Sequence, residues 1–148
     1  MATGNAVSNT TESAIMKLIF QAVAWTDYAQ NHGTTPQTNV AWGLQTADPG
    51  ETGTMATSEV TYTSYARVDR LRDATNHPET AGTINPNANV DFPAGTGGSG
   101  TVTFFTTGHT GTAASAQPVL WYGAVSPSIV TGSGVTPRLT TATAIALD

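Results

Sequence analysis

The sequence predicts a mainly β domain of the antiparallel sandwich or jelly-roll kind, with one N-terminal α-helix and long loops rich in Gly, Thr and Pro. Three observations predict it. Threonine occurs 28 times among the 148 residues, and a β-branched side chain with a restricted χ1 suits the pleated, half-buried surface of a strand. Fifteen Gly and eight Pro supply the turns that many short strands need. Several stretches alternate apolar with polar residues, the period-2 pattern of a strand with one buried face. The length is that of one ordinary domain, able to bury roughly 70% of its unfolded surface without metals or cross-links.

Residues 1–8 (MATGNAVS) are small and polar and read as a flexible arm, leaving 9–148 as a single domain. Ile15, Leu18, Ile19 and Ala22 recur at i, i+3, i+4 and i+7, and Asn9 with Glu12 resembles a capping box, so a helix is expected over about 10–24. A helix this short needs its apolar face covered, by its own sheet or by a neighbouring subunit. The polar segment 29–38 leads into Val40, Trp42 and Leu44, whose alternation predicts a half-buried strand. Asp48-Pro49-Gly50 marks a turn, and the small residues after it predict a loop projecting into solvent.

Strand character returns at Val60, Tyr62, Ala66 and Val68. The stretch 74–99, dominated by Asn, Pro, Thr and Gly, reads as a long surface excursion with at most a short strand near 89–92. Val102 and Phe104 begin another strand. Val119-Leu120-Trp121-Tyr122 is a continuous apolar run, which predicts a strand covered on both faces. At the C-terminus Val135, Leu139, Ile145 and Leu147 share one parity, predicting a strand integral to the sandwich with a bulge or break near Pro137.

The composition excludes several classes of chemistry. No cysteine is present, which removes disulfides, thiolate ligands and thiol nucleophiles. A net charge of −5 disfavours phosphate backbones, so nucleic acid is not an expected partner. No apolar run is long enough to span a membrane, and the N-terminus lacks the charged and apolar regions of an export signal. Gly95, Gly97 and Gly100 spell G-x-G-x-x-G, but a strand-like TVTFF follows them and not a helix, so they read as a hairpin loop. His32, His77 and His109 lie in loops without metal-ligand spacing and read as exposed. Asp48 and Glu51 are too few for acid/base work or Ca²⁺ and read as turn residues. No catalytic residue, metal or cofactor is expected, nor enzymatic activity.

What remains is recognition between surfaces. Arg67, Arg70 and Arg72, with Asp69 and Asp73 among them, concentrate three of the five basic residues in one segment. They read either as a solvated strand end or as an interface that pairs bidentately with carboxylates. As surface residues, the three could be changed together to Gln without unfolding the domain. Trp42, Trp121 and Tyr122 could stack on a sugar, although on such strands they fit a core better. The candidate interface is therefore Ile15, Leu18 and Ile19 of the helix, the three arginines, and Trp121 with Tyr122.

The stretches KLIFQAVAW (17–25), LQTADPGETGTMATSEVTYTSYARV (44–68) and YGAVSPSIVTGSGVTPRLTTATAIALD (122–148) resemble a family of small bacteriophage virion proteins. Together they cover roughly half the chain in the same order as in that family. The resemblance implies a particle component with no catalytic residues to carry over. Small, polar, loop-rich β domains suit capsid decoration, so the first expectation is a homo-oligomeric cement protein that binds the major capsid protein on the outer surface of the head. The alternative is a tail, baseplate or fibre-associated module that contacts tail proteins and the host surface.

Overall fold

The computed structural model describes residues 8–25 and 28–147; the predicted arm, but for Ser8, lies outside the described residues. Helix α1 spans Asn9–Gln21. Its cap is Ser8, one residue before the predicted Asn9, and the Ser8 hydroxyl accepts from the Thr11 amide at 3.4 Å. Glu12 in the first turn complements the positive end of the helix. The helix stops before the predicted residue 24 because Ala22 adopts a left-handed conformation (φ 56°). Its fully buried residues are Met16 and Phe20, while the predicted Ile15, Leu18 and Ile19 are half-buried. Phe20 decides the rotation: its ring meets those of His77 and Trp121 at 5.5 and 5.3 Å. The helix thus docks on its own chain.

Nine strands follow among the described residues, and the fold is mainly β, with 36% of those residues extended and 9% in the helix. Strands β1 (Asn39–Gln45), β2 (Val68–Leu71), β6 (Gly100–Gly108) and β7 (Val119–Thr131) form one antiparallel sheet in the order β2-β1-β6-β7. Two-residue strands β3 (Glu79–Thr80), β4 (Thr83–Ile84) and β9 (Ile145–Ala146) form a second sheet, and β5 (Val90–Asp91) pairs with β8 (Arg138–Leu139). The core joins Trp42, Leu44, Val102 and Phe105 of the four-stranded sheet to Met16 and Phe20 of α1 and to Ile84, Val90, Phe92, Leu139 and Ile145 of the short strands. Among the described residues no helix is long and apolar enough to cross a membrane.

Three segments differ from their predicted form. β1 is buried on both faces, Val40 through Gln45, and not on one. Its second face is covered by the 46–59 loop, which does not project into solvent: it carries Met55, fully buried, back over Gly43 and Gly108. The predicted turn survives inside that loop, where the Gly50 amide donates to Asp48 Oδ1 at 2.8 Å. The 74–99 segment is no surface excursion, since His77, Ile84, Val90 and Phe92 are all buried. Its short strands are paid in hydrogen bonds by the C-terminus, β4 pairing with β9 and β5 with β8.

The third is the C-terminus itself: β8 begins just after Pro137, where an interruption is predicted, but a further turn at 141–142 separates it from β9. The shared parity still holds for packing: Leu139 and Ile145 are buried and Leu147 packs against the core, whereas Val135 is exposed. Val60 and Tyr62 are buried as a strand would bury them, but isolated bridges hold the residues beside them and regular pairing begins only at Val68. The glycines 95, 97 and 100 lead into β6, as the hairpin reading predicts, with no helix after them.

Gly108 is where the sheet and the 46–59 loop come closest. A Cβ there would lie 2.4 Å from the Pro118 carbonyl oxygen and 2.6 Å from Met55 Sδ. Gly108→Ala is expected to cost about 1–3 kcal/mol, the usual range for overpacking. A urea midpoint measures it, with Gly33→Ala as control, because a Cβ at Gly33 meets nothing within 4 Å. An unchanged midpoint for Gly108→Ala would show that the loop yields freely.

Candidate interface surfaces

The three arginines were the strongest charged candidate, and the structure uses all three within the chain. Arg67 is buried, a correction to its predicted place on the surface. Val60, Tyr62 and Tyr65 fold inward while Ala66 stays exposed, and Arg67 turns in to meet Glu59 in a bidentate pair at 2.7 and 2.9 Å. It also donates to the Ser115 hydroxyl at 3.1 Å and the Ser115 carbonyl at 2.8 Å. Glu59 accepts two further bonds, from the Tyr65 hydroxyl at 3.0 Å and the Ala114 amide at 2.7 Å. The Tyr65 oxygen in turn accepts from the Leu44 amide at 3.0 Å. Burial, and then the Glu59 charge beside it, pushes the Tyr65 phenol well above its ordinary value. The network ties two irregular segments to β1, which lack regular strand pairing of their own. Only the shared odd parity of Glu59, Tyr65 and Arg67 hints at it in the sequence.

Arg72 caps the C-terminal end of α1, where carbonyls lack helical partners. It donates to the carbonyls of Ile19 at 2.5 Å and Leu18 at 2.6 Å, to Gln37 O at 2.6 Å and to Asn31 Oδ1 at 3.0 Å. Leu18, Ile19 and Arg72 are therefore brought together, but as a fastening of helix to strand. Arg70 is held more loosely, by Asn87 Oδ1 at 3.3 Å and Asn89 O at 3.2 Å. A second fastening, absent from the sequence reading, is Glu79. It accepts from the Ser13 hydroxyl at 2.6 Å and the Gly82 amide at 2.7 Å, and it pairs with Lys17 at 3.2 Å.

His77 is not an exposed loop residue. It is fully buried, and its ring lies parallel to that of Trp42, 3° between planes and 6.1 Å between centroids. Nδ1 sits 2.9 Å from the Leu71 carbonyl, an acceptor only, so Nδ1 carries the hydrogen and Nε2 accepts from Trp42 Nε1 at 3.4 Å. Burial first, aided by the charges of Arg70 and Arg72, lowers its pKa to about 4. Trp42 is core, as its alternation implies. No group of three metal-ligating side chains occurs among the described residues.

Trp121 and Tyr122 lie on β7, which is an edge strand and not the doubly covered strand that its apolar run predicts. Residues 119–123 are half-buried. Trp121 packs against the core through Phe20, and Tyr122 stands opposite Thr106 of β6. The sheet's two edges differ sharply. β2 is four residues long and carries Asp69 and Arg70, the charged, short form in which natural edges resist pairing. β7 is thirteen residues long and carries no charged residue. It pairs regularly with β6 from Trp121 to Ala124, then bulges before Ile129 meets Val102. Among the described residues no strand pairs with its outer side.

A family model described as Podophage GP4 fiber I protein gp80 matches residues 6–145. No curated protein matches the chain.

Proposed function

The chain belongs to the family of the podophage GP4 fiber I protein gp80, and from that premise we propose that it is a non-enzymatic, fibre-associated module of the virion that joins a second copy of itself through β7. The observation that carries this is the uncharged β7 edge. A row of unpaired backbone donors and acceptors with apolar side chains is a template for strand addition. Two copies of a chain of net charge −5 repel each other over most of their surfaces. β7 itself brings no charge to such a contact, and pairing along residues 119–124, before Pro127 interrupts the row of backbone donors, would extend each four-stranded sheet.

The family description favours the fibre over the capsid shell, so the decoration role takes second place. Protein stoichiometry in purified virions separates them. A fibre module is present at tail-like copy number, whereas a decoration protein approaches the abundance of the major capsid protein. Tyr122→Lys tests the edge itself. It is expected to leave the isolated domain folded, within about 0.5 kcal/mol as for most surface changes, while sedimentation shows the loss of self-association. A Tyr122→Lys protein that associates as the parent does would remove β7 from the interface.

A further inference from the structure

A cleft of about 240 Å³ opens where the end of α1 meets the sheet. Leu18, Ile19, Val40 and Leu120 give it an apolar wall. Its charged or titratable lining residues among the described residues are Arg72, His32 and His109, with no carboxylate among them, although the chain carries ten acidic residues against five basic.

Four of the polar side chains that line this cleft, Asn31, His32, Gln37 and Arg72, are biased in one direction, while Gln30, Asn39 and His109 also line it and offer acceptors as well as donors. Asn31 has its side-chain oxygen engaged by Arg72 at 3.0 Å, and Gln37 has its own engaged by the Thr110 hydroxyl at 3.0 Å. His32 accepts at Nδ1 from the amides of Thr34 at 3.3 Å and Thr35 at 3.1 Å, so its hydrogen sits on Nε2. The four bonds that Arg72 makes use four of its five N–H groups. On these side chains Asn31 Oδ1, Gln37 Oε1 and His32 Nδ1 are thus engaged internally. What is left on these four side chains is donors: two amide NH₂ groups, an imidazole N–H and one guanidinium N–H.

We propose that this cleft binds a small carboxylate-bearing ligand about one ring in size, its carboxylate taking the donors of His32, Asn31, Gln37 and Arg72 and its ring lying on the apolar wall. The volume falls below that of drug-sized sites, which run from roughly 300 Å³ upward, and so limits the ligand to a compact body. Charge-assisted bonds from Arg are short and strong, and the neutral donors complete a shell that a neutral ligand could not use as well. The site is independent of the fibre role. An acidic sugar and an aromatic acid share the required chemistry.

Titration calorimetry of the full chain with sodium glucuronate, glucose and sodium benzoate tests the proposal. Glucuronate is expected to bind roughly tenfold or more tightly than glucose, the equivalent of one charge-assisted hydrogen bond. Benzoate binding as well as glucuronate would support recognition of carboxylate and ring alone; glucuronate binding better would support an acidic sugar whose hydroxyls are also read. His32→Leu, at an exposed position, should weaken glucuronate severalfold with the melting transition unchanged. Equal binding of glucose and glucuronate, no binding of either carboxylate, or full affinity in His32→Leu would overturn it.

Discussion

Replacing Arg67 by Gln is expected to destabilise the domain by about 3–5 kcal/mol, the cost of stranding one partner of a buried ion pair. Both side chains are almost wholly excluded from water, 1% exposed for Arg67 and 5% for Glu59. Without the guanidinium, Glu59 keeps only the Tyr65 hydroxyl and the Ala114 amide for a full negative charge. Ser115 loses both of its arginine donors at the same time. Net stabilities of domains are about 5–15 kcal/mol, so the variant should melt far earlier or fail to fold. Thermal and urea unfolding of Arg67→Gln measure the effect, and the pair Arg67→Met with Glu59→Leu should recover much of it, because no charge is then left buried. A single variant as stable as the parent would mean that water reaches Glu59. The triple Arg-to-Gln change is for the same reason no test of an interface, since it removes the Arg67 pair and the Arg72 helix cap together.

The sequence revealed elements more readily than it revealed their partners. The helix, the β1 strand, the Asp48 turn and the inward parity of Leu139, Ile145 and Leu147 are local patterns, and the structure keeps all four elements, although β1 is covered on its second face as well. The helix carries Ala14, Ile15, Met16, Leu18, Ile19 and Phe20, so two neighbouring stripes are apolar. Only the tertiary contact of Phe20 with His77 and Trp121 chooses between them. His77 sits in Thr-Asn-His-Pro-Glu, where nothing local signals burial. It is enclosed because Phe20 of α1 and Trp42 of β1, both distant in sequence, pack against its ring. The apolar run at 119–122 records a surface that needs covering, and not what covers it. The candidate interface divides in the same way: Arg67 and Arg72 satisfy internal needs, while Trp121 and Tyr122 lie on the open edge.

His77 should make the domain acid-sensitive in a window set by its own titration. In the unfolded chain its pKa is about 6.5, and in the folded chain burial lowers it to about 4. Below about pH 6.5 the unfolded chain therefore takes up a proton that the folded chain refuses until about pH 4, and stability falls as pH falls through that window. The charges of Arg70 and Arg72 deepen the refusal, and Asp73 partly offsets it. The linkage amounts to about 2 kcal/mol between pH 7.5 and 5.0, and to about 3 kcal/mol by pH 4. The Asp73, Glu79 and Asp91 carboxyls, all held below their ordinary values, give up their contributions at lower pH and leave the upper part of the window to His77. Urea midpoints at pH 7.5 and 5.0 for the parent and for His77→Gln make the comparison. Gln keeps a donor and an acceptor but takes no proton, so the variant should start less stable at pH 7.5 and lose little more at pH 5.0. Parallel declines in the two proteins would place the acid-sensitive group elsewhere and would mean that the imidazole stacked on Trp42 charges without leaving the core.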